Sequence, residues 1–154
     1  MRATRPSQGQ LLRELRITFS RDDWAFDARW RNITIGRARC VQDGNTLLIG
    51  DLLVAAACPI PWPFANNLLV AIGLPCRRRN FRGLGVGTAL LKRIIAEATK
   101  AGITHLRGNV TEGDIKATPH LLDWYCRENF TVEAENTGQT INAAVAVRIS
   151  MNIA

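Results

Sequence analysis

Residues 77–91 read Arg-Arg-Arg-Asn-Phe-Arg-Gly-Leu-Gly-Val-Gly-Thr-Ala-Leu-Leu, and this stretch decides the interpretation of the chain. A basic run leads into glycines at alternate positions, Gly83, Gly85 and Gly87, and an apolar helical pattern follows directly. Glycine lets the backbone curl tightly because it has no Cβ. The first N–H groups of a helix have no partner within the helix and lie at its positive end. The stretch therefore predicts an anion-binding turn, most often used for phosphate.

Two familiar nucleotide-binding loops do not fit this stretch. A P-loop requires a lysine directly after its last glycine, and Thr88 follows Gly87 here. A dinucleotide-binding loop requires Gly-x-Gly-x-x-Gly after an apolar strand, but the third glycine position falls on Thr88 or Leu90. The residues that precede the glycines are arginines, not an apolar strand. Both loops are excluded.

The chain before the glycines predicts an antiparallel meander. Apolar residues alternate with polar ones over 24–30 and 33–41, and a long apolar run covers 46–56. Asp43-Gly44 is a strong hairpin signal between the last two of these segments. Partial alternation over 11–19 predicts a first strand, and residues 1–10 are expected to form a flexible basic arm.

A proline-rich segment interrupts the pattern over residues 58–76. Four prolines lie within it, which excludes a central strand or a helix interior. Trp62 and Phe64 lie between the prolines and make this an apolar loop that requires a surface to cover. We interpret residues 57–76 as an insertion over one end of the sheet.

The chain after the glycines alternates helices and strands. Val86, Leu90, Ile94 and Ala98 recur at helical spacing, and Gly102 supplies the helix C-cap. A second helix is expected to start near Thr118-Pro119, with Thr118 as its N-cap. The second helix is predicted to end at Asn129. A strand is predicted at 103–111, and two closing strands are predicted at 130–133 and 141–153.

Length and composition bound the class of protein. The 154 residues suit one domain, expected over 11–154, and hydrophobic content of 47% is ordinary for a globular chain. We expect a cytoplasmic protein because no apolar run suits a membrane span or a signal peptide. The four cysteines are scattered, so we expect reduced, mostly buried thiols and no metal site. The net charge of +7 favours polyanionic partners, including a phosphorylated cofactor.

Three segments together resemble the GNAT N-acetyltransferase superfamily. Residues 82–87, Arg-Gly-Leu-Gly-Val-Gly, match its Arg/Gln-x-x-Gly-x-Gly/Ala loop. Residues 51–54, Asp-Leu-Leu-Val, are similar to its fourth strand, and residues 124–130, Trp-Tyr-Cys-Arg-Glu-Asn-Phe, to its late Tyr-x-x-x-Gly-Phe segment. The resemblance covers about residues 24–154. It implies an α/β (α+β) fold in which helices flank a mixed, mostly antiparallel sheet that splays between the fourth and fifth strands.

The resemblance also implies a cofactor, acetyl-CoA. The pyrophosphate is expected against the backbone of residues 83–88, with arginines adding charge, and the pantetheine arm against the fourth strand. The expected cofactor-binding residues are Leu52, Leu53, Val54, Arg77, Arg82, Gly83, Leu84, Gly85, Val86, Gly87, Thr88, Thr118 and Tyr125.

The implied reaction moves an acetyl group to a primary amine by direct attack. Tyr125 falls where the family places its general acid, and a phenol of pKa about 10 suits proton donation to a thiolate. The alternative for Tyr125 is a packing role. Asp51 and Glu112 are candidates for the general base, and a water relay is an equal alternative. The acceptor is a small-molecule or peptide amine.

Two departures from the family pattern stand out. The pair of helices that usually follows the first strand has no room between Phe19 and Trp24, and the insertion at 57–76 is extra. Trp62 and Phe64 are expected to replace the missing wall or to cover a homodimer interface. The alternative functions are a CoA-binding sensor without catalysis and a basic nucleic-acid-binding or regulatory module. Nucleic acid is the disfavoured partner because it leaves the glycines and Tyr125 unexplained.

Overall fold

The computed structural model describes residues 7–31, 33–55, 58–59, 78–134 and 145–153. The predicted insertion at 57–76 therefore lies outside the described residues except for its short start, and Arg77 lies outside them too. The helices are α1 (Gln8–Glu14), α2 (Val86–Lys100), α3 (Glu112–Ala117) and α4 (Leu121–Arg127). The strands are β1 (Arg16–Ser20), β2 (Ala25–Trp30), β3 (Ile33–Asp43), β4 (Thr46–Val54), β5 (Cys58–Pro59), β6 (Arg78–Arg79), β7 (His105–Thr111), β8 (Thr131–Ala134) and β9 (Val145–Asn152).

Seven of the strands form one sheet in the order β1-β2-β3-β4-β7-β9-β8, and β5 pairs with β6 alone. Strands β1 and β2, β7 and β9, and β8 and β9 pair antiparallel, whereas β4 and β7 pair parallel. The predicted mixed, mostly antiparallel sheet flanked by helices is confirmed.

The pairing between β4 and β7 stops before either strand ends. It joins Thr46–Ile49 to His105–Gly108, while β4 continues to Val54 and β7 continues to Thr111. The alternation of buried and exposed residues along β4 also breaks here, because Gly50 and Asp51 are both exposed. Such a break is typical of a local irregularity, such as a β-bulge, that changes the direction of a strand. The predicted splay between the fourth and fifth strands of this fold, β4 and β7 here, is confirmed.

The chain divides into two compact units. The first unit comprises Met1–Ala38 and Asp51–Arg93, and the second comprises Arg39–Gly50 and Ile94–Ala154. The core of the first unit is rich in aromatic rings: the Phe19 and Phe26 rings stack with centroids 4.6 Å apart, and Trp30 packs on Phe81 with centroids 5.6 Å apart. The core of the second unit contains Leu47, Ile49, Ile103, Leu106, Val110, Tyr125, Phe130 and Ile149.

The N-terminal segment corrects one prediction. Residues 11–14 belong to α1, so the strand predicted over 11–19 starts only at Arg16. The Ser7 hydroxyl accepts from the Gln10 N–H and the Gln10 side chain accepts from the Ser7 N–H, a capping box that starts the helix. Leu11 is fully buried. The capping box and the burial of Leu11 favour a helix more strongly than the partial alternation of apolar residues favours a strand. The link between β1 and β2 is a short turn at 21–24, with no helix pair between these strands.

The second correction concerns the start of the second predicted helix. Thr111 and Asp114 form a capping box that starts α3, and Thr118 is the C-cap of α3. Helix α4 has His120 at its N-cap position, without a capping hydrogen bond from its side chain. The prediction that Thr118 is an N-cap is therefore wrong. Pro119 separates two short helices instead of opening one, because it has no N–H to continue α3.

Other local predictions are confirmed. Gly44 lies in the β3–β4 turn with φ 56°, Gly102 ends α2 with φ 74°, and Asn129 follows α4 with φ 67°. These are the left-handed conformations that glycine and asparagine tolerate. Of the cysteines in the described part of the chain, Cys40 is buried as expected, but Cys126 is exposed. No helix among the described residues has the length and apolar character needed to cross a membrane.

Candidate functional site

The glycine turn, residues 82–85, leads directly into α2. Gly83 has φ 75° and Gly85 has φ 83°, conformations that L side chains rarely adopt. The Gly85 carbonyl accepts the Ala89 N–H at 3.0 Å, so the helical hydrogen bonds begin at the turn. The first turn of α2 contains no acidic residue. Curled backbone N–H groups at the positive end of a 15-residue helix suit an anion.

The turn is tied to the end of β4. The Phe81 N–H donates to the Ala55 carbonyl at 3.1 Å, and the Phe81 side chain is buried. The Asn80 Oδ1 atom accepts the Arg82 N–H at 2.8 Å, and the Arg82 Nε–H donates to the Val54 carbonyl at 3.3 Å. The exposed Arg82 side chain is thus fixed between the turn and β4. This arrangement brings together two groups of predicted site residues, those of the turn and those of β4.

The last residues of β4 extend beyond the described pairing with β7. The Ala55 N–H donates to the Ile35 carbonyl at 2.8 Å, toward β3. Because N–H groups alternate in direction along a strand, those of Leu52 and Val54 point to the other edge. That is the edge on which pairing with β7 ends at Ile49. An extended ligand can pair with this edge as an added strand does.

Helix α1 also lies against the glycine turn. A Cβ added at Gly85 would lie 3.2 Å from the Gln8 Nε2 atom and 3.5 Å from a Leu12 methyl carbon. At the other end of α1, the Glu14 carboxylate accepts from the Trp30 indole at 2.9 Å and pairs with Arg31 at 3.0 Å. The hydrogen bond from Arg31 lowers the pKa of Glu14. The helix is therefore held at both ends within the first unit.

Tyr125 lies in the second unit, where only 6% of its surface is exposed. Its ring meets the Phe130 ring edge-on at 5.4 Å between centroids, and the Trp124 ring at 4.7 Å. Burial, followed by the nearby Asp114 and Cys40, raises the pKa of Tyr125 to about 12. The phenol thus keeps its proton throughout the neutral range.

The candidate bases, Asp51 and Glu112, are both exposed. Asp51 lies in the first unit and is exposed. Glu112 opens α3 in the second unit, with an exposed ion pair to Lys116 at 3.4 Å. The exposed His120 ring lies 3.7 Å from the Asp123 carboxylate. Thr118 donates its N–H to the Asp114 carbonyl at 2.9 Å and so completes α3.

Sequence reasoning missed three residues at the glycine turn: Asn80, Gln8 and Leu12. Asn80 stands two residues before Arg82, the spacing at which an asparagine side chain accepts a backbone N–H. Ser7-x-x-Gln10 is a capping-box spacing that predicts the start of α1. No local signal places α1 beside Gly85, because that contact joins residues distant in the sequence.

A pocket of about 180 Å³ lies elsewhere, over β7, β8 and β9 of the second unit. Arg107, Arg148 and Glu133 are among the residues that line it. It contains none of the predicted site residues, so the glycine turn and the end of β4 carry the candidate site.

Comparison with known proteins identifies the fold. No family model matches the sequence, and no curated protein matches it either. Many solved structures match the fold. A GNAT-family acetyltransferase from Staphylococcus aureus Mu50 has a TM-score of 0.57 and 14% identity, with 84% of this chain and 67% of that chain covered. The ribosomal-protein-S18-alanine N-acetyltransferase from Escherichia coli has a TM-score of 0.56 and 15% identity, with 99% and 81% covered.

A third similar structure is the PaiA N-acetyltransferase from Thermoplasma acidophilum, in complex with coenzyme A. It has a TM-score of 0.55 and 14% identity, with 83% of this chain and 59% of that chain covered. At these identities the similarity shows the fold alone. The chain has the GNAT fold, and the resemblance found in the sequence is confirmed at that level.

Proposed function

We propose that this protein is an acetyl-CoA-dependent N-acetyltransferase that transfers the acetyl group to a primary amine by direct attack in a ternary complex. The observation that carries the proposal is the glycine turn. It presents two left-handed glycines at the start of a long helix without acidic residues in its first turn, and Arg82 joins it to β4. The GNAT fold supports the choice of chemistry.

The described residues fit this cofactor. The backbone of residues 83–88 and the Arg82 guanidinium suit a pyrophosphate, because they offer N–H donors and positive charge at one place. The outward N–H groups of Leu52 and Val54 suit the amides of a pantetheine arm, and Leu53 adds an apolar side chain that is 59% exposed. The complex of PaiA with coenzyme A supports the same choice. Arg77 is proposed to add charge near the phosphates.

Acyl transfer to an amine requires two proton movements. The C–N bond forms and the C–S bond breaks, so the amine loses a proton and the departing thiolate gains one. Acetyl-CoA supplies the acetyl group. We assign proton donation to Tyr125, because it falls where the resembled family places its general acid and its phenol carries a proton throughout the neutral range. A backbone N–H of β4 is the proposed stabiliser of the negative charge that develops on the carbonyl oxygen.

The proton on the attacking amine is proposed to pass either to a carboxylate or to a relay of water molecules. The candidate carboxylates are Asp51 and Glu112, both exposed, and the water relay requires no dedicated base. A small-molecule or peptide amine is the proposed acceptor class.

Calorimetry tests the cofactor assignment. The protein is titrated in parallel with acetyl-CoA, with adenosine and with a single-stranded RNA oligomer at the same ionic strength. We expect acetyl-CoA to bind more tightly than the other two, because adenosine lacks phosphates and the RNA lacks pantetheine. RNA that binds while acetyl-CoA does not would instead favour the basic nucleic-acid-binding module.

A thiol-release assay tests the reaction. Acetyl-CoA is held at saturation, and free thiol is measured over a panel of alkylamines, amino acids and short peptides. We expect one class of amine to accelerate thiol release above the rate of hydrolysis. Binding of acetyl-CoA without acceleration by any class would favour a CoA-binding sensor.

A further inference from the structure

The side chain of Gln8 occupies the space next to the glycine turn that a side chain on residue 85 would need. Its Nε2 atom lies 3.2 Å from the position of that Cβ, nearer than either methyl carbon of Leu12. Gln8 is the first residue of α1, a helix outside the three segments that resemble the GNAT family. It thus brings a polar group to the turn from a distant part of the sequence.

The Gln8 amide is an available donor. Within the described part of the chain it has no hydrogen-bond partner, and the residue is exposed. Gln10 on the same helix differs, because its Oε1 atom accepts the Ser7 N–H at 3.3 Å in the capping box. A side-chain amide carries two N–H donors. Those of Gln8 are free to bind an oxyanion at the turn.

The position of Gln8 is set by contacts that do not involve a ligand. Leu11 is fully buried, and Leu12 packs beside Gly85. Glu14 binds the Trp30 indole and Arg31. The capping box fixes the first turn of the helix. Because α1 is held this way, the cost of ordering Gln8 on binding is reduced.

We propose that Gln8 is a cofactor-binding residue whose side-chain amide donates to a phosphate oxygen held at the glycine turn. This inference rests on the proposed function, since it requires a phosphorylated cofactor at the turn. It adds a donor from α1 to the backbone N–H groups of residues 83–88 and the Arg82 guanidinium. The opposite role, in which Gln8 fills the space of the phosphate and competes with it, makes the reverse prediction.

The test compares the wild-type protein with Gln8→Met and Gln8→Lys in calorimetric titrations with coenzyme A. Gln8→Met keeps the length of the side chain but removes its donors, and we expect the Kd to rise about tenfold, the low end of the effect of one hydrogen bond to a charged group. Gln8→Lys restores a donor and adds charge, so we expect affinity at or above that of the wild type, with a steeper dependence on salt. A purely structural role of Gln8 does not predict this rescue.

Gln10→Met is the matched control, because it makes the same chemical change on the same helix. It removes only the side-chain half of the capping box, and the hydrogen bond from the Gln10 N–H to the Ser7 hydroxyl still holds the first turn. We expect this variant to lower the melting temperature slightly and to leave the Kd within about twofold, since its side chain does not lie at the turn. A Gln8→Met protein that binds coenzyme A as tightly as wild type, or more tightly, would overturn the inference. A wild-type protein that does not bind coenzyme A would overturn the proposed function itself, and this separates the two failures.

Discussion

The glycine turn and the surroundings of Tyr125 supply different kinds of group to the proposed reaction. At the turn, the groups are backbone N–H donors and the exposed Arg82 guanidinium, placed by two glycines with positive φ. Around Tyr125, the group is one side chain that is 6% exposed and packed against Phe130 and Trp124. The glycine turn therefore suits a charged ligand that arrives from water. The buried surroundings of Tyr125 instead raise the pKa of one phenol.

Different physical properties control the two regions. Backbone conformation controls the turn, because N–H groups bind an anion only where the chain curls toward it. Desolvation controls Tyr125, because the charged phenolate is disfavoured away from water. Substitutions at the turn should therefore act on binding, and substitutions around Tyr125 on rate and on stability at high pH.

The largest effect is expected from Tyr125→Phe. Removing the hydroxyl should slow thiol release from acetyl-CoA about 100-fold, the low end of what general acid catalysis contributes, with the affinity for coenzyme A within about twofold. Saturating thiol-release kinetics measure the rate, and calorimetry measures the affinity. Because burial raises the pKa of Tyr125 to about 12, its proton should not be lost below about pH 10.

Cys126→Ser is the matched control for that variant, since Cys126 is the exposed neighbour of Tyr125 in the chain. We expect its rate to equal that of the wild type. A Tyr125→Phe protein with an unchanged rate would remove Tyr125 from the mechanism and leave it a packing role.

The next effect is expected at Cys40, which tests the role of desolvation in the second unit. Burial raises the pKa of the Cys40 thiol from 9.0 to about 12. A folded-state pKa above the unfolded value means that this stabilisation is complete below about pH 9 and is lost as the pH rises toward 12. Between about pH 9 and pH 10.5, ionisation of this thiol in the unfolded state should lower the free energy of unfolding by roughly 2 kcal/mol.

Urea denaturation of wild type and Cys40→Ala at several pH values checks this expectation. The variant should lose less stability than wild type over this interval, whatever its stability at pH 8. Parallel losses in the two proteins would show that burial does not hold this thiol protonated.

The smallest effect is expected at the glycine turn. Gly85→Ala places a Cβ at φ 83° and 3.2 Å from the Gln8 amide, so both the backbone and α1 must adjust. We expect affinity for coenzyme A to fall about tenfold, equivalent to 1.4 kcal/mol. Calorimetry measures the affinity, and urea denaturation measures the accompanying loss of stability.

Gly83→Ala is the matched control at the turn. Its φ is 75°, but an added Cβ would meet nothing within 4 Å, so only backbone strain of about 1 kcal/mol applies. A larger loss of stability for Gly85→Ala than for Gly83→Ala measures the contact with α1. An equal loss in both variants would mean that α1 does not constrain the turn.

The sequence predicted the glycine turn, α2 and the positions of most strands along the chain well because their signals are local. Glycine conformations, the spacing of apolar residues in α2 and the Asp43-Gly44 hairpin depend on neighbours in the chain. It missed α1 and α3, and it assigned Thr118 wrongly as the N-cap of the next helix. Capping boxes at Ser7 and Thr111 start α1 and α3, which alternation and Pro119 had not indicated.

The candidate site was predictable to the same extent. The motif indicated Arg82, Gly83 and Gly85 as candidate site residues, and in the structure the Arg82 Nε–H donates to the Val54 carbonyl. The place of Gln8 beside Gly85 was not predictable, because this contact joins residues that are far apart in the sequence. The choice of Asp51, Glu112 or water as base stays a prediction.

The sequence alone predicts an anion-binding turn from three alternate glycines, a basic run before them and a long helix after them. The tertiary structure sets the surroundings of the glycine turn, of β4 and of Tyr125. It ended the pairing of β4 with β7 at Ile49, laid α1 against Gly85, and buried Tyr125 enough to raise its pKa. The physical reason is that backbone preference is set by adjacent residues, whereas desolvation and strand pairing are set by residues that folding brings together.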